Sequence, residues 1–223
     1  MRISYETIYR FIYSENQKHR LWWEYLPRKQ KRRRKKTGRS SQRVRIPDRV
    51  SIHSRPKKVN NRKEFGHWES DTVLGKRKRK SIHTEVERKS RLLKARLKLS
   101  TIAESTIKTQ EKIFSRIPPQ ARKSTTMDNG CENVLHNQLK QTLKMKTYFA
   151  DPYSSWQRGT NEYHNGLIRR YLPKGVSFDN LTQRDLNDIV TEINSRPRKC
   201  LNYQTPNEVY SRELKLAGGA IRP

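Results

Sequence analysis

Residues 150–172 read A-D-P-Y-S-S-W-Q-R-G-T-N-E-Y-H-N-G-L-I-R-R-Y-L. Glu162 falls in the first turn of a predicted helix. Thr160 is its expected N-cap, with a hydroxyl free to accept a backbone N–H. Leu167, Ile168, Tyr171 and Leu172 recur at helical spacing and give that helix an apolar face. A carboxylate is therefore expected on a rigid element, beside a loop carrying Trp156, Gln157, Arg158 and Gly159.

Upstream, the pattern changes to strands. Residues 66–75 read as a strand bounded by glycines, with Asp71 near its middle. Residues 82–87 read as a second strand and 91–99 as a third. In the third, Leu93, Ala95, Leu97 and Leu99 share one face, against Lys94, Arg96 and Lys98 on the other. Thr101-x-x-Glu104 is a capping-box pattern for a helix that ends before Pro118-Pro119. Its expected buried face is Ala103, Ile107, Phe114 and Ile117. A short strand at 124–127 runs into Asp128-Asn129-Gly130. A helix over about 133–144 and a strand at 147–150 complete the approach to Glu162. The order of three strands, helix, strand, helix, strand, helix predicts an α/β domain, a mixed five-stranded sheet flanked by helices. A ribonuclease-H-like domain has that order. Downstream, Leu186, Ile189, Val190 and Ile193 stripe a helix over about 182–195, which Arg196-Pro197-Arg198 terminates. Pro206 opens a last short helix after Thr205.

Asp71 on the first strand and Asp128 at the tip of the fourth come together if those two strands are adjacent. A following helix can then lay Glu162 across the same edge. Singly, each has a plainer reading. Asp128-Asn129-Gly130 makes an ordinary turn, and Glu162 complements a helix dipole. Asp71 is harder to dismiss, because aspartate disfavours strands. Three converging carboxylates repel one another and favour protonation unless cations intervene. Mg²⁺, or Mn²⁺, prefers such oxygen ligands. Two ions about 3.5–4 Å apart serve in-line displacement at phosphorus. Asp71, Asp128 and Glu162 are thus the expected catalytic and metal-binding residues. Glu69 lies on the same strand face as Asp71 and is expected to pair with a cation.

Composition names the partner. The chain of 223 residues carries 51 Lys and Arg against 21 Asp and Glu, a net charge of +30. A polyanion is the expected partner, and a nucleic acid the default. Cys131 and Cys200 show neither pairing nor metal spacing. No apolar run approaches a membrane span and no signal-peptide pattern opens the chain, so a soluble intracellular protein is expected. Ser4 caps a first amphipathic helix from which Tyr5 and Arg10 face outward. Between Arg28 and Lys36 every residue but Gln30 is basic: Arg28, Lys29, Lys31, Arg32, Arg33, Arg34, Lys35 and Lys36 are expected to hold phosphates, with steeply salt-dependent affinity. Trp156, Gln157 and Arg158 can stack on bases or hold phosphate, and Arg169 and Arg170 can face DNA. The expected divisions are an N-terminal helical remnant (1–26), a basic linker (27–54), a catalytic core (55–215) and a tail (216–223).

Several motifs together carry a family resemblance. They are Gly66-His67-Trp68-Glu69-x-Asp71-Thr72, Val86-Glu87-Arg88-Lys89-Ser90-Arg91, and Asp128-Asn129-Gly130-x-Glu132. The longest runs from Tyr148 to Glu162, and Asn165-Gly166-Leu167, Tyr171-x-Pro173-Lys174-Gly175 and Asn194-x-Arg196-Pro197-Arg198-Lys199 follow it. With them the chain resembles transposases of the insertion-sequence-thirty type, within the retroviral-integrase-like superfamily. The resemblance implies a D-D-E set of Asp71, Asp128 and Glu162, strand cleavage and strand transfer on transposon ends and target DNA, and self-association. It also implies no small-molecule substrate, a bacterial cytoplasmic, nucleoid-associated setting, and a helix-turn-helix remnant in residues 3–13. Family members usually carry a longer N-terminal region, so a truncated transposase is one expectation. A catalytically inactive DNA-binding inhibitor of intact transposase and a hybrid-cleaving nuclease are the alternatives. Ser70, Glu85 and Asn133 depart from the family pattern, in which glycine, an apolar residue and phenylalanine are usual. Burying Glu85 unpaired would be costly.

Overall fold

The computed structural model describes residues 3–26, 31–32, 46–76 and 80–218. Two compact units divide at Arg43/Val44. In the first, helix α1 (Tyr5–Ile12) begins at Ser4, whose hydroxyl accepts from Thr7 N at 3.3 Å. Two 3₁₀ turns, Glu15–Arg20 and Trp22–Tyr25, follow. Tyr5 and Arg10 are exposed as expected, and Arg10 pairs with Glu6. Of the basic run, Lys31 and Arg32 are exposed bends; Arg28, Lys29, Arg33, Arg34, Lys35 and Lys36 lie outside the described residues.

The second unit contains α2 (Lys57–Asn60), β1 (His67–Leu74), β2 (Ser81–Glu87), β3 (Leu93–Lys98), α3 (Ala103–Phe114), β4 (Ser124–Met127), α4 (Asn137–Leu143), β5 (Lys146–Phe149), α5 (Gly159–Tyr171), α6 (Gln183–Asn194) and α7 (Pro206–Leu216). It begins ahead of the expected 54/55 boundary. Ile46 and Ile52 are buried, and Ser51 forms a parallel bridge with Phe149.

The strands form one sheet in the order β3-β2-β1-β4-β5. β1, β2 and β3 pair antiparallel, while β4 lies parallel to β1 and β5 parallel to β4. Alternation along β1 sorts two cores. Trp68 points into a cluster with Phe114, Ile107, Met127 and Phe149, beneath α3 and α4. Val73 points into the other, with Ile82, Leu93, Leu167, Ile168 and Leu186, beneath α5 and α6. Both faces are thus covered, as the mixed pattern requires. The edge strand β3 is capped by α6: Asn194 Oδ1 accepts from Leu93 N and Gln183 Oε1 from Leu97 N, each at 2.9 Å. Those bonds satisfy donors that would otherwise be open to strand addition.

Some local expectations change. The Thr101–Glu104 capping box does not form. α3 starts one residue later, from Ile102, whose N–H is donated to Ser100 Oγ. The helix expected over 133–144 divides into a 3₁₀ turn at Cys131–Asn133 and the shorter α4. Capping boxes do form at Thr182/Asp185 and Thr205/Glu208, opening α6 and α7. Lys98 does not face solvent. It is 2% exposed, because α3 covers its side of β3.

Gly66 links the β1 entry to the β4 entry. Its φ is +94, and an added Cβ would lie 2.8 Å from Gln120 O. Gly66→Ala is expected to destabilise the fold by more than about 1 kcal/mol, measured by denaturant unfolding. An unchanged midpoint would contradict the requirement.

Candidate active site at the ends of two parallel strands

The parallel register sets the site. His67 pairs with Ser124, Trp68 with Thr125 and Glu69 with Thr126, a constant offset of 57 residues. Asp71 and Asp128 are separated by the same offset, so the register carries both to the carboxyl ends of neighbouring strands, where α/β sheets place their ligands. Arg158, at the entrance to α5 and only 9% exposed, lies between them. Its Nη1 is 3.3 Å from Asp71 Oδ1, and its Nη2 is 3.6 Å from Asp128 Oδ2. Nη1 also donates to Ser70 O at 2.7 Å.

Further donors aim each carboxylate. Asp71 accepts from Thr72 N and from Asn165 Nδ2, both at 2.9 Å. Asp128 Oδ1 accepts from Gly130 N at 3.0 Å and from Asn133 Nδ2 at 2.9 Å. Burial pushes the Asp71 carboxyl above its ordinary range; Arg158 and the Thr72 N–H oppose that shift, and Asp128 reinforces it. A carboxyl whose folded pKa is raised stabilises the protein fully below its ordinary value, about 4. That contribution is lost as pH rises through the raised value. Asp71→Asn escapes the loss, so its Tm relative to wild type is expected to increase between pH 4 and pH 7. A pH-independent difference in calorimetry would contradict this.

Glu162 is exposed in the first turn of α5. It stands one turn beyond Arg158 and three residues before Asn165, both of which touch Asp71. No three His, Cys, Asp or Glu side chains form a metal-holding group among the described residues. The structure therefore brings Asp71 and Asp128 to one guanidinium and leaves Glu162 on the adjoining helical surface.

The other expected contact residues divide. Trp156 is 71% exposed, whereas Gln157 is bound to Asp151, accepting from its N–H at 2.7 Å and donating to its Oδ2 at 2.8 Å. Arg158 is turned to the aspartates. Arg169 donates to Leu74 O and lies over the Phe178 ring, while Arg170 is exposed. Thr160 does not cap α5. Its hydroxyl instead accepts from Arg62 at 3.1 Å and Arg91 at 3.0 Å. Gly159 has ordinary helical angles and open space around it, so no sharp turn requires it.

Each departure from the family motifs has a partner here. Glu85 is fully buried but accepts from Thr125 Oγ1 and Gln110 Nε2, and pairs with His83 at 2.9 Å. Ser70 joins the same network, accepting from Gln110 Nε2 at 3.3 Å. Asn133 orients Asp128. Glu69, as expected, meets a cation: it ion-pairs with Arg88 and accepts from Asn161 N at 2.9 Å, tying β1 to α5. Sequence reasoning missed Lys98. Its ammonium donates to Thr72 Oγ1, Thr106 Oγ1 and Glu132 Oε2, while Glu132 accepts from Thr72 Oγ1 beside Asp71. It also missed Asn165, although the i, i+4 spacing from Asn161 was available.

A mixed sheet of this order, with two aspartates at the ends of parallel strands and a carboxylate-bearing helix beside them, defines a ribonuclease-H-like fold of the integrase kind. The catalytic core domain of BIV integrase superposes with a TM-score of 0.53 at 19% identity, over 68% of this chain and 97% of that one. No protein-family model matches the chain. Among curated proteins, the transposase InsI for insertion sequence element IS30C of Escherichia coli (strain K12) is 38% identical over 97% of this chain and 57% of that one. The transposase for insertion sequence element IS4351 of Bacteroides fragilis is 38% identical over 93% of this chain and 64% of its own length. Over nearly its whole length the chain is thus similar to transposases of the insertion-sequence-thirty type, and it spans about six-tenths of the length of these relatives.

Proposed function

We propose that this chain carries the catalytic core of a DNA transposase that cleaves and joins strands at Asp71, Asp128 and Glu162. The observation that supports it most is the Asp71–Asp128 pair, brought together by the parallel register and already bridged by one cationic group. The donor set fits a hard divalent ion, Mg²⁺ or Mn²⁺. Carboxylate oxygens are the preferred ligands of such ions, and the Arg158 guanidinium marks where positive charge is favoured. Asp71 and Asp128 would hold the ion, and Glu162 would contribute to a second. When bound, such ions supply Lewis-acid activation of an attacking oxygen and charge for a leaving one.

The chain's own groups do the positioning. Asn165 and Thr72 N orient Asp71, Gly130 N and Asn133 orient Asp128, and Glu69 anchors the helix that bears Glu162. DNA is the proposed partner, consistent with the net charge of +30. Its substrates are transposon ends and target DNA, and a multimer of this chain in the bacterial nucleoid is the acting form. An inactive inhibitor is disfavoured, since both aspartates are present and aimed by hydrogen bonds.

Supercoiled plasmid with Mg²⁺ or Mn²⁺ tests the reading: the wild type is expected to nick it, and EDTA to stop it. Glu162→Gln is expected to lose nicking while keeping DNA affinity. Full nicking by that variant would remove Glu162 from the site and leave the aspartate pair standing.

A further inference from the structure

On the other flank of α5 lies a cavity of about 360 Å³, lined by Arg62, Arg91, Tyr163, His164, Arg198 and Lys199. Among the described residues, no carboxylate lines it. Arg62 and Arg91 both donate to the Thr160 hydroxyl, so two like charges converge on one neutral oxygen. Both have left-handed backbones, φ 55 and φ 64. Such strained non-glycine positions gather at ligand clamps.

Two buried guanidinium nitrogens here have no hydrogen-bond partner: Arg91 Nε and Arg198 Nε. The His164 ring is 2% exposed. Its Nδ1 is 2.7 Å from Thr160 O, which can only accept, so Nδ1 carries the proton. Burial lowers the pKa of this ring to about 4, and the Arg91 backbone hydrogen-bonds it as well. The cavity therefore lacks an anion for its guanidinium donors. Tyr163, 54% exposed, adds an aromatic ring, standing edge-on to His164 with centroids 5.5 Å apart. A cationic wall with an aromatic face is how proteins hold unpaired strands. The volume lies within the range of small-ligand pockets.

We propose that this cavity takes one unpaired nucleotide of the DNA strand: its phosphate against Arg62, Arg91, Arg198 and Lys199, and its base on Tyr163. Every base has a π-face to stack, so the site is tolerant of sequence. The proposal rests on the DNA-acting reading above. α5 turns Asn161 and Asn165 toward β1 and Thr160, Tyr163 and His164 toward the cavity. A helix is about 10–12 Å across with its side chains, so the held nucleotide lies within a few nucleotides of the aspartate pair along the strand.

The test compares blunt duplex, duplex with a three-nucleotide overhang, and the same overhang made abasic. Affinity is read by fluorescence anisotropy, and Cys200, an exposed thiol lining the cavity, is followed by iodoacetamide labelling. The overhang is expected to bind about tenfold more tightly than blunt or abasic DNA and alone to shield Cys200. Tyr163→Ala should erase that preference and Tyr163→Phe should keep it. Arg62→Gln should weaken all three DNAs and reduce the salt slope by about one. Equal affinity and equal labelling for overhang and blunt DNA would overturn the nucleotide site while leaving DNA binding intact. Shielding by inorganic phosphate but by no oligonucleotide would assign the cavity to a small anion and also overturn it. Failure to bind any DNA would take down the parent reading with it.

Discussion

Asp128→Asn is expected to leave the protein folded and bound to DNA but to lower metal-dependent nicking by about a thousandfold. The substitution is chosen for what it keeps. An amide oxygen at Oδ1 still accepts from Gly130 N and Asn133 Nδ2, so the turn after β4 retains its hydrogen bonds. The side chain is 42% exposed, and no core contact is lost. What disappears is the negative charge that the Arg158 guanidinium faces. A metal ligand without charge binds its ion poorly, and metal-assisted displacement at phosphorus draws several kcal/mol from that ion. At about 1.4 kcal/mol per factor of ten, a thousandfold loss is the scale expected. DNA affinity should hold or rise slightly, because one negative charge is gone. Nicking within about tenfold of wild type, with EDTA still inhibiting, would move the chemistry away from these two strands.

Glu69→Ala is expected to cost about 3–5 kcal/mol of stability, the typical loss when one partner of a buried ion pair is removed. Glu69 is fully buried and Arg88 is 6% exposed by side chain, so water does not replace the missing carboxylate. The Asn161 N–H at the start of α5 loses its acceptor as well. For a domain of this size the loss amounts to a fall of about 6–20 °C in Tm. Replacing both partners by methionine should recover most of it, because an apolar pair carries no desolvation penalty. A single variant that melts with wild type would show that Arg88 finds another partner. Catalysis should suffer beyond stability, since Glu69 is the tie between β1, which carries Asp71, and the helix that carries Glu162.

Much of the site was legible because it is built from strand ends and one helix start. Bounding glycines marked β1, β4 was read at its observed bounds, and their adjacency converts a separation along the chain into a contact. The apolar stripe of α6 and Pro206 at the start of α7 announced those helices, because both are local signals. The partners of Lys98 were not legible for the opposite reason. A basic residue at an alternating position of an edge strand normally faces water. Here α3 covers that position and supplies Thr106, while Glu132 arrives from the turn after β4. Thr160 was misplaced because two arginines from distant loops compete for the hydroxyl that a cap would use.

The amino-acid sequence alone determined the layered α/β architecture, the order of its strands and helices, the excess of positive charge, and which acidic residues sit at element ends. These follow from periodicity, capping and composition, which act over a few residues or over the whole chain at once. Only the tertiary structure decided that Arg158 stands between Asp71 and Asp128, that Glu85 is buried with partners, and that Arg62, Arg91 and Arg198 meet around His164. Those arrangements join residues tens to about a hundred positions apart. Their energies depend on the burial and hydrogen bonds that the packed sheet creates, and no local pattern encodes them.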